Sequence, residues 1–142
     1  MARKISGIEV ITRAVILDRD RILLCRVKGS QHYFLPGGHV NSGEKVISAL
    51  RREIKEELGI LIKKISFLGV IENFYRENGN DHHEINLIFR VFPTKLSINS
   101  KEKHIEFSFR PFKELKRITI LPKILKLKLM RWNKNGNTFS SF

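Results

Sequence analysis

Cysteine is almost missing from this chain of 142 residues: Cys25 stands alone, so no intrachain disulfide can form. It follows Ile22, Leu23 and Leu24, and in that apolar run it reads as a buried, reduced thiol. A lone thiol accords with a cytoplasmic location. Long apolar runs are missing too. None approaches the roughly 18–20 residues that a membrane span needs, so no membrane partner is expected. Arg3 and Lys4 lie in the stretch Met1 to Val10, but Glu9, Thr12 and Arg13 interrupt the apolar residues that follow. A secretory signal is therefore not expected. There is no internal repeat, low-complexity block or long linker. There is no dinucleotide-binding glycine fingerprint, P-loop or nucleic-acid-binding motif. Acid is scarce: 14 Asp and Glu face 27 Lys and Arg, for a net charge of +13. Such a field favours anionic partners. Lysines dispersed through the chain also fit a plain solvated surface.

What is present suits one domain. Hydrophobic residues make up 42%, enough for a core at this length. Ile8 to Leu17 and Arg21 to Val27 read as strands joined by a hairpin-like turn at Asp18-Arg19-Asp20. Pro36-Gly37-Gly38 is a sharp break. A helix is expected from about Glu44 to Leu58, with Gly59 placed to end it. Ile62 to Phe74 and Glu84 to Phe92 read as strands, with Arg76 to Asp81 as the loop between them. Lys95 to Lys103 is polar loop, and Ile105 to Phe109 alternates like a strand. Leu121 to Trp132 mixes helical and strand periods and is assigned to helix, with Pro122 in its first turn. Residues 133–142 read as a frayed tail. Strands flanking a helix, more strands and a late helix imply an α/β or α+β sandwich with a mixed sheet.

Three acidic residues crowd the end of the first helix. Glu53 and Glu57 lie about 40° apart around the axis, and Glu56 about 60° from Glu53 on the other side. Val46, Leu50, Ile54 and Leu58 form the apolar stripe beside them. Like charges at these spacings repel, and acids at a helix C-terminus oppose its dipole. A hard divalent cation held by carboxylates would offset both costs. A solvated acidic end paired with Arg51, Arg52 and Lys55 would do so as well, and these residues alone leave both readings open.

The upstream residues add a pattern. Gly38 is followed after five residues by Glu44, after seven more by Arg52-Glu53-Ile54, then Lys55, Glu56-Glu57, Leu58 and Gly59-Ile60. This resembles the Nudix box at every specified position. The lead-in Tyr33-Phe34-Leu35-Pro36-Gly37-Gly38 and the segment Phe109 to Leu115 are similar to the family's surroundings of that box. The resemblance implies a Nudix hydrolase, an α/β/α sandwich with a mixed, curved central sheet. It implies one domain over residues 1–132 and a flexible tail over 133–142. The family cuts a diphosphate linkage with Mg²⁺, which Mn²⁺ can replace. By position, Glu53, Glu56 and Glu57 are implied as metal ligands, with Glu53 also a candidate base. Arg52 would orient the carboxylates. A backbone carbonyl of Gly37 or Gly38 would join the metal shell, and Glu44 and Gly59 would be structural. Many relatives add an acid from a distant loop, for which Glu102 and Glu106 are candidates and Glu106 lies nearer the Phe109 segment.

Substrate residues are less marked. His39 directly follows the glycines. Tyr75 and Glu84 are further candidates, and the aromatics Tyr33, Phe34, Phe74 and Tyr75 are equally at home in a core or against a base. His82 and His83 are neighbours on a strand and so point to opposite faces. That makes them a poor pair of metal ligands. A proline and a tyrosine at set distances beyond the box mark two of the family's substrate classes. Those positions hold Tyr75 and Glu77, so neither class is supported. Phe67-Leu68-Gly69 and His83-Glu84-Ile85 resemble the broad ADP-ribose or nucleotide-sugar group. The expected partner is a small nucleotide substrate, for a monomer or homodimer. An enzyme acting on RNA 5′ ends is a second reading that +13 suits. A non-catalytic nucleotide- or RNA-binding domain is a third, disfavoured because a binding module does not need all three glutamates.

Overall fold

The computed structural model describes residues 7–142. The reading of Met1 to Val10 as lacking a signal falls partly outside the described residues. In chain order the elements are β1 (Ile8–Val15), β2 (Leu17–Asp18), β3 (Arg21–Val27), β4 (His32–Tyr33), β5 (Gly37–His39), α1 (Val46–Leu58), β6 (Ile62–Glu77), β7 (Asn80–Pro93), β8 (Ile105–Pro111), a 3-10 segment (Phe112–Arg117), β9 (Thr119–Ile120), α2 (Lys123–Asn135) and β10 (Phe139–Ser141). The central sheet runs β10-β6-β7-β1-β5 and is mixed: β1 lies parallel to β7, while β5 and β6 pair antiparallel with their neighbours β1 and β7. A second sheet, β2-β3-β8, is antiparallel. This is the mixed α+β sandwich the element pattern implies.

Strand alternation feeds two cores. Ala14, Leu23, Phe89 and Val91 pack with Leu50, Ile54 and Leu58 of α1. Their neighbours Val15, Ile22, Leu24 and Ile88 pack with Ile71 of β6 and with Leu125 and Leu129 of α2. Successive residues of a strand face opposite ways, so the helices cover opposite faces. Cys25 is fully buried, as its apolar run indicates, and burial pushes its thiol well up. No helix among the described residues is long and apolar enough to cross a membrane.

Three expectations shift. The polar stretch Arg76 to Asp81 is mostly strand: β6 and β7 close on a two-residue turn at Asn78-Gly79, both at positive φ. Asn-Gly is the strongest short hairpin signal, and the charges that suggest a loop are a cross-strand pair, Arg76 and Asp81. Pro122 is the N-cap of α2 rather than part of its first turn. Where the sequence suggests only a tail, the chain stays helical to Asn135, turns at Gly136 in the left-handed region, and adds β10 parallel to β6. That strand docks on Gly69, where any side chain would strike the Phe139 ring.

Candidate active site

Helix α1 carries the glutamates because its other side is committed to the core. Ala49, Leu50, Ile54 and Leu58 are fully buried. Gly59, at φ 67°, ends the helix and donates to the Lys55 carbonyl. The polar segment after β7 also caps it: Asn99 and Lys101 donate their N–H groups to the carbonyls of Leu58 and Glu57. The helix end thus finds partners for its last carbonyls.

Arg52 organises the charges. Its Nε and Nη2 donate to both oxygens of Glu44 at 2.8 and 2.9 Å. Its Nη1 donates to Glu53 at 2.8 Å and, less closely, to Glu56 at 3.4 Å. Nη2 also reaches the His39 carbonyl at 3.1 Å, tying the loop to the helix. Glu44 accepts the Asn41 N–H as well, and these bonds hold its carboxyl down at about 2. Such a fork–fork pair fixes direction as well as charge. Glu44 therefore sits where a supporting residue would.

The glycine loop meets this array at close range. A side chain at Gly38 would run into the Glu53 carboxylate, and one at Gly37 into the Thr12 carbonyl. Gly37 also holds φ at 143°, which favours glycine. Its N–H points to Glu57 at 3.4 Å, and the Gly38 carbonyl accepts from the Thr12 hydroxyl at 3.3 Å. The β1–β5 register also gives that carbonyl the Thr12 N–H, so its two lone pairs are taken, whereas the Gly37 carbonyl points away from β1. Glu57 is pushed up to about 8, first by burial, with the Glu53 charge adding to it.

The donor types suit a hard divalent cation. By donor type Glu53, Glu56 and Glu57 are the groups that would hold one, and of the two loop carbonyls it is Gly37, not Gly38, that has lone pairs to offer. A buried carboxylate whose charge is penalised is a group that a neighbouring dication would keep ionised. Among the described residues no group of three or more His, Cys, Asp or Glu side chains is placed to hold a metal ion. Mg²⁺ does not require such a group, because it keeps waters and takes substrate phosphate oxygens. Of the two loop acids, Glu102 is the one whose charge Glu57 feels. Glu106 is engaged elsewhere, with Arg26 across the second sheet at 2.8 Å. Chain proximity to Phe109 favours Glu106, but β8 carries it to the β3 side.

The other half of the site is largely hidden from sequence reasoning. Where the sheet extends beyond the residues that α2 covers, polar side chains replace apolar ones. Asn73 and Asn86 both donate to Glu84 Oε2, at 3.4 and 3.2 Å, and Glu84 and Asn86 are buried. Tyr75 lies beside Glu84, and burial together with that carboxylate pushes its hydroxyl up to about 12. Arg13 donates to the Leu35 carbonyl at 3.0 Å and to Asn86 Oδ1 at 3.5 Å. At the rim, Glu9 bridges His39 at 2.9 Å and His82 at 3.0 Å, and His82 stacks on Tyr75. The structure thus brings His39, Tyr75 and Glu84 to one face. It turns His83 to the opposite face, against Phe74 and Glu72. Sequence reasoning does not reach Arg13, Asn73, Asn86 or Glu9. The period-two run of polar residues His82, Glu84 and Asn86 within an otherwise apolar strand is the signal for part of this set.

Fold and site together define a class. The family model for the NUDIX domain matches residues 8–132. The chain belongs to the NUDIX family. It is 36% identical over 96 residues to an ADP-ribose pyrophosphatase of Methanocaldococcus jannaschii, covering 65% of this chain and 57% of that protein. It is 36% identical over 63 residues to an 8-oxo-dGTP diphosphatase of Buchnera aphidicola, covering 44% of this chain and 51% of that one. The matches thus span a little over half the length of these relatives. Among solved structures, a MutT NUDIX hydrolase from Burkholderia pseudomallei superposes with a TM-score of 0.74 at 25% identity, covering 87% of this chain and 98% of that one.

Proposed function

We propose that this protein hydrolyses the diphosphate linkage of a nucleoside diphosphate joined to another moiety, with Mg²⁺ or Mn²⁺ as cofactor. The other moiety is a sugar, an ADP-ribose-like group or a further phosphate. One observation carries the reading: Arg52 gathers Glu44, Glu53 and Glu56 on one side of α1, directly against a loop that only glycine lets approach so closely. The relatives are named for diphosphatase and pyrophosphatase activities, which supports the same chemistry.

A bound Mg²⁺ supplies charge neutralisation at the phosphate oxygens and polarises water. The chain's own residues do the rest. Glu53, Glu56 and Glu57 offer the anionic oxygens. Arg52 holds Glu53 and Glu56 in direction. A water oxygen adds to phosphorus, the bridging P–O bond breaks, and a carboxylate of this group takes the water's proton. The polar sheet face with Tyr75, Glu84 and His39 receives the organic part of the substrate.

A second reading, action on RNA 5′ ends, rests on α2. That helix carries Lys123, Lys126, Lys128, Arg131 and Lys134 and no acid. If RNA is the substrate, binding weakens steeply with salt. The deciding experiment offers Mg²⁺ with nucleoside triphosphates, nucleotide sugars, ADP-ribose, dinucleoside polyphosphates and 5′-triphosphate RNA, and identifies the products. Turnover by wild type that Glu57→Gln abolishes is the expected result. Wild type no better than Glu57→Gln on every compound overturns the hydrolase reading.

A further inference from the structure

Arg13 lies deep in the fold, yet part of its surface stays open to solvent. Its guanidinium carries five N–H donors. Among the described residues its hydrogen-bond partners are both neutral, the Leu35 carbonyl and the Asn86 side-chain oxygen. It feels the charges of Glu84 and Glu57, but neither carboxylate is in ion-pair contact with it. A cation taken from water without a contacting anion is costly. The arrangement has a direction. Asn86 spends its N–H₂ on Glu84 and its oxygen on Arg13, so both ends of the amide are used to aim the guanidinium. In the sheet register Arg13 pairs with Gly37, whose N–H meets Glu57.

We propose that Arg13 receives an anionic oxygen of the substrate's diphosphate, and that Asn86, backed by Glu84, positions it. The inference rests on the hydrolase reading for its substrate class. The geometry suits that class. A metal diphosphate carries a cation and an anion side by side. Glu57 and Arg13 present the opposite signs, the glutamate on the helix and the arginine on the strand facing Gly37. Among the described residues no hydrogen bond uses the Nη2 donors or the second Nη1 donor of Arg13, and a guanidinium fork matches phosphate oxygens in a way an ammonium does not. The purely structural alternative is that Arg13 serves only to hold the Leu35 carbonyl.

The test uses methylenediphosphonate, a diphosphate mimic that cannot be hydrolysed, titrated calorimetrically into the full chain with Mg²⁺ present. Wild type binds it, and Arg13→Gln weakens binding by about 10- to 100-fold, the range for a lost hydrogen-bonded charge. Arg13→Lys falls between the two. Asn86→Leu raises KM for the hydrolysed substrate while leaving kcat within about twofold, as loss of a positioning contact made in both ground and transition states does. Folded Arg13→Gln that binds the mimic like wild type overturns the proposal. If that variant does not fold, phenylglyoxal labelling of wild-type Arg13 decides. Protection by the mimic supports the proposal, and equal labelling with and without it overturns it. Arg13-dependent binding by a protein that hydrolyses nothing supports this inference and sinks the hydrolase reading. Hydrolysis with Arg13-independent binding does the reverse.

Discussion

The Glu53 carboxylate lies against the α-carbon of Gly38: a methyl group there would fall 2.4 Å from Cδ and 2.6 Å from each oxygen. No unstrained Cβ occupies such a position, and the obstacle is itself held by Arg52 at 2.8 Å. The residue pair therefore acts as one unit, with the helix acid setting how close the loop can come.

Gly38→Ala is expected to separate them. Overpacking of this kind costs about 1–3 kcal/mol of stability. Displacing a reacting group by an ångström can cost about 100-fold in rate. Hydrolysis and thermal melting measured together check this. A folded alanine variant with near-normal turnover would show that the close approach is not needed.

Glu57 predicts a pH signature for the metal-free protein. Its folded value, about 8, lies above the ordinary 4.5. Between those values the folded state binds more protons than the unfolded one, so stability falls as pH rises. Summed over the window this is on the order of 5 kcal/mol. Glu44 works in the opposite sense and lower down. Its folded value of about 2 means its contribution is present above the ordinary 4.5 and fades as pH drops towards 2. The windows do not overlap. Melting curves across the Glu57 window should slope downward for wild type in a chelator and lie flatter for Glu57→Gln. Mg²⁺ should flatten the wild-type curve. Equal slopes for both proteins would remove Glu57 as the cause.

Arg52→Lys tests the fork. A lysine keeps the charge but cannot donate to both Glu44 oxygens while reaching Glu53 and Glu56. The expected loss is about 10- to 100-fold in kcat/KM, the cost of one or two charged hydrogen bonds. Mn²⁺ affinity, followed by electron paramagnetic resonance, should fall in parallel as Glu53 and Glu56 lose their orientation. Unchanged affinity and rate would leave Arg52 a surface charge.

Half of the site can be read along the chain because it is local. Glu53, Glu56 and Glu57 share one helix, and Gly38 and Arg52 lie within one loop and one helix of each other. The other half depends on register. Arg13 and Asn86 meet only because β1 runs parallel to β7, with Ile11 opposite Asn86. No spacing in the sequence announces that pairing. The same limit keeps the sequence from choosing between its two loop candidates: Glu102 is the one whose charge Glu57 feels, while Glu106 is carried away by a strand pairing with β3. The turn at Asn78-Gly79 is visible, but its charged flanks mask the strands around it.

β10 carries the last prediction, because nothing in Phe139-Ser140-Ser141 alternates strongly enough to announce a strand. Its place depends on Gly69, where a Cβ would lie 2.3 Å from the Phe139 ring and 2.5 Å from the Phe139 carbonyl oxygen. Ring and backbone both block it, so a rotamer change alone does not relieve Gly69→Ala. The expected cost is about 1–3 kcal/mol in the full chain. Removing residues after Gly136 should also destabilise, since it uncovers the β6 edge and the side of Trp132. The two changes act on one contact, so they should not add: Gly69→Ala should cost little in the shortened chain. Denaturant titrations of the four proteins complete the cycle. Full additivity would mean that Gly69 serves the sheet itself rather than the docking of Phe139. Activity should survive in all four, because β10 lies at the sheet edge opposite β5 and its glycines.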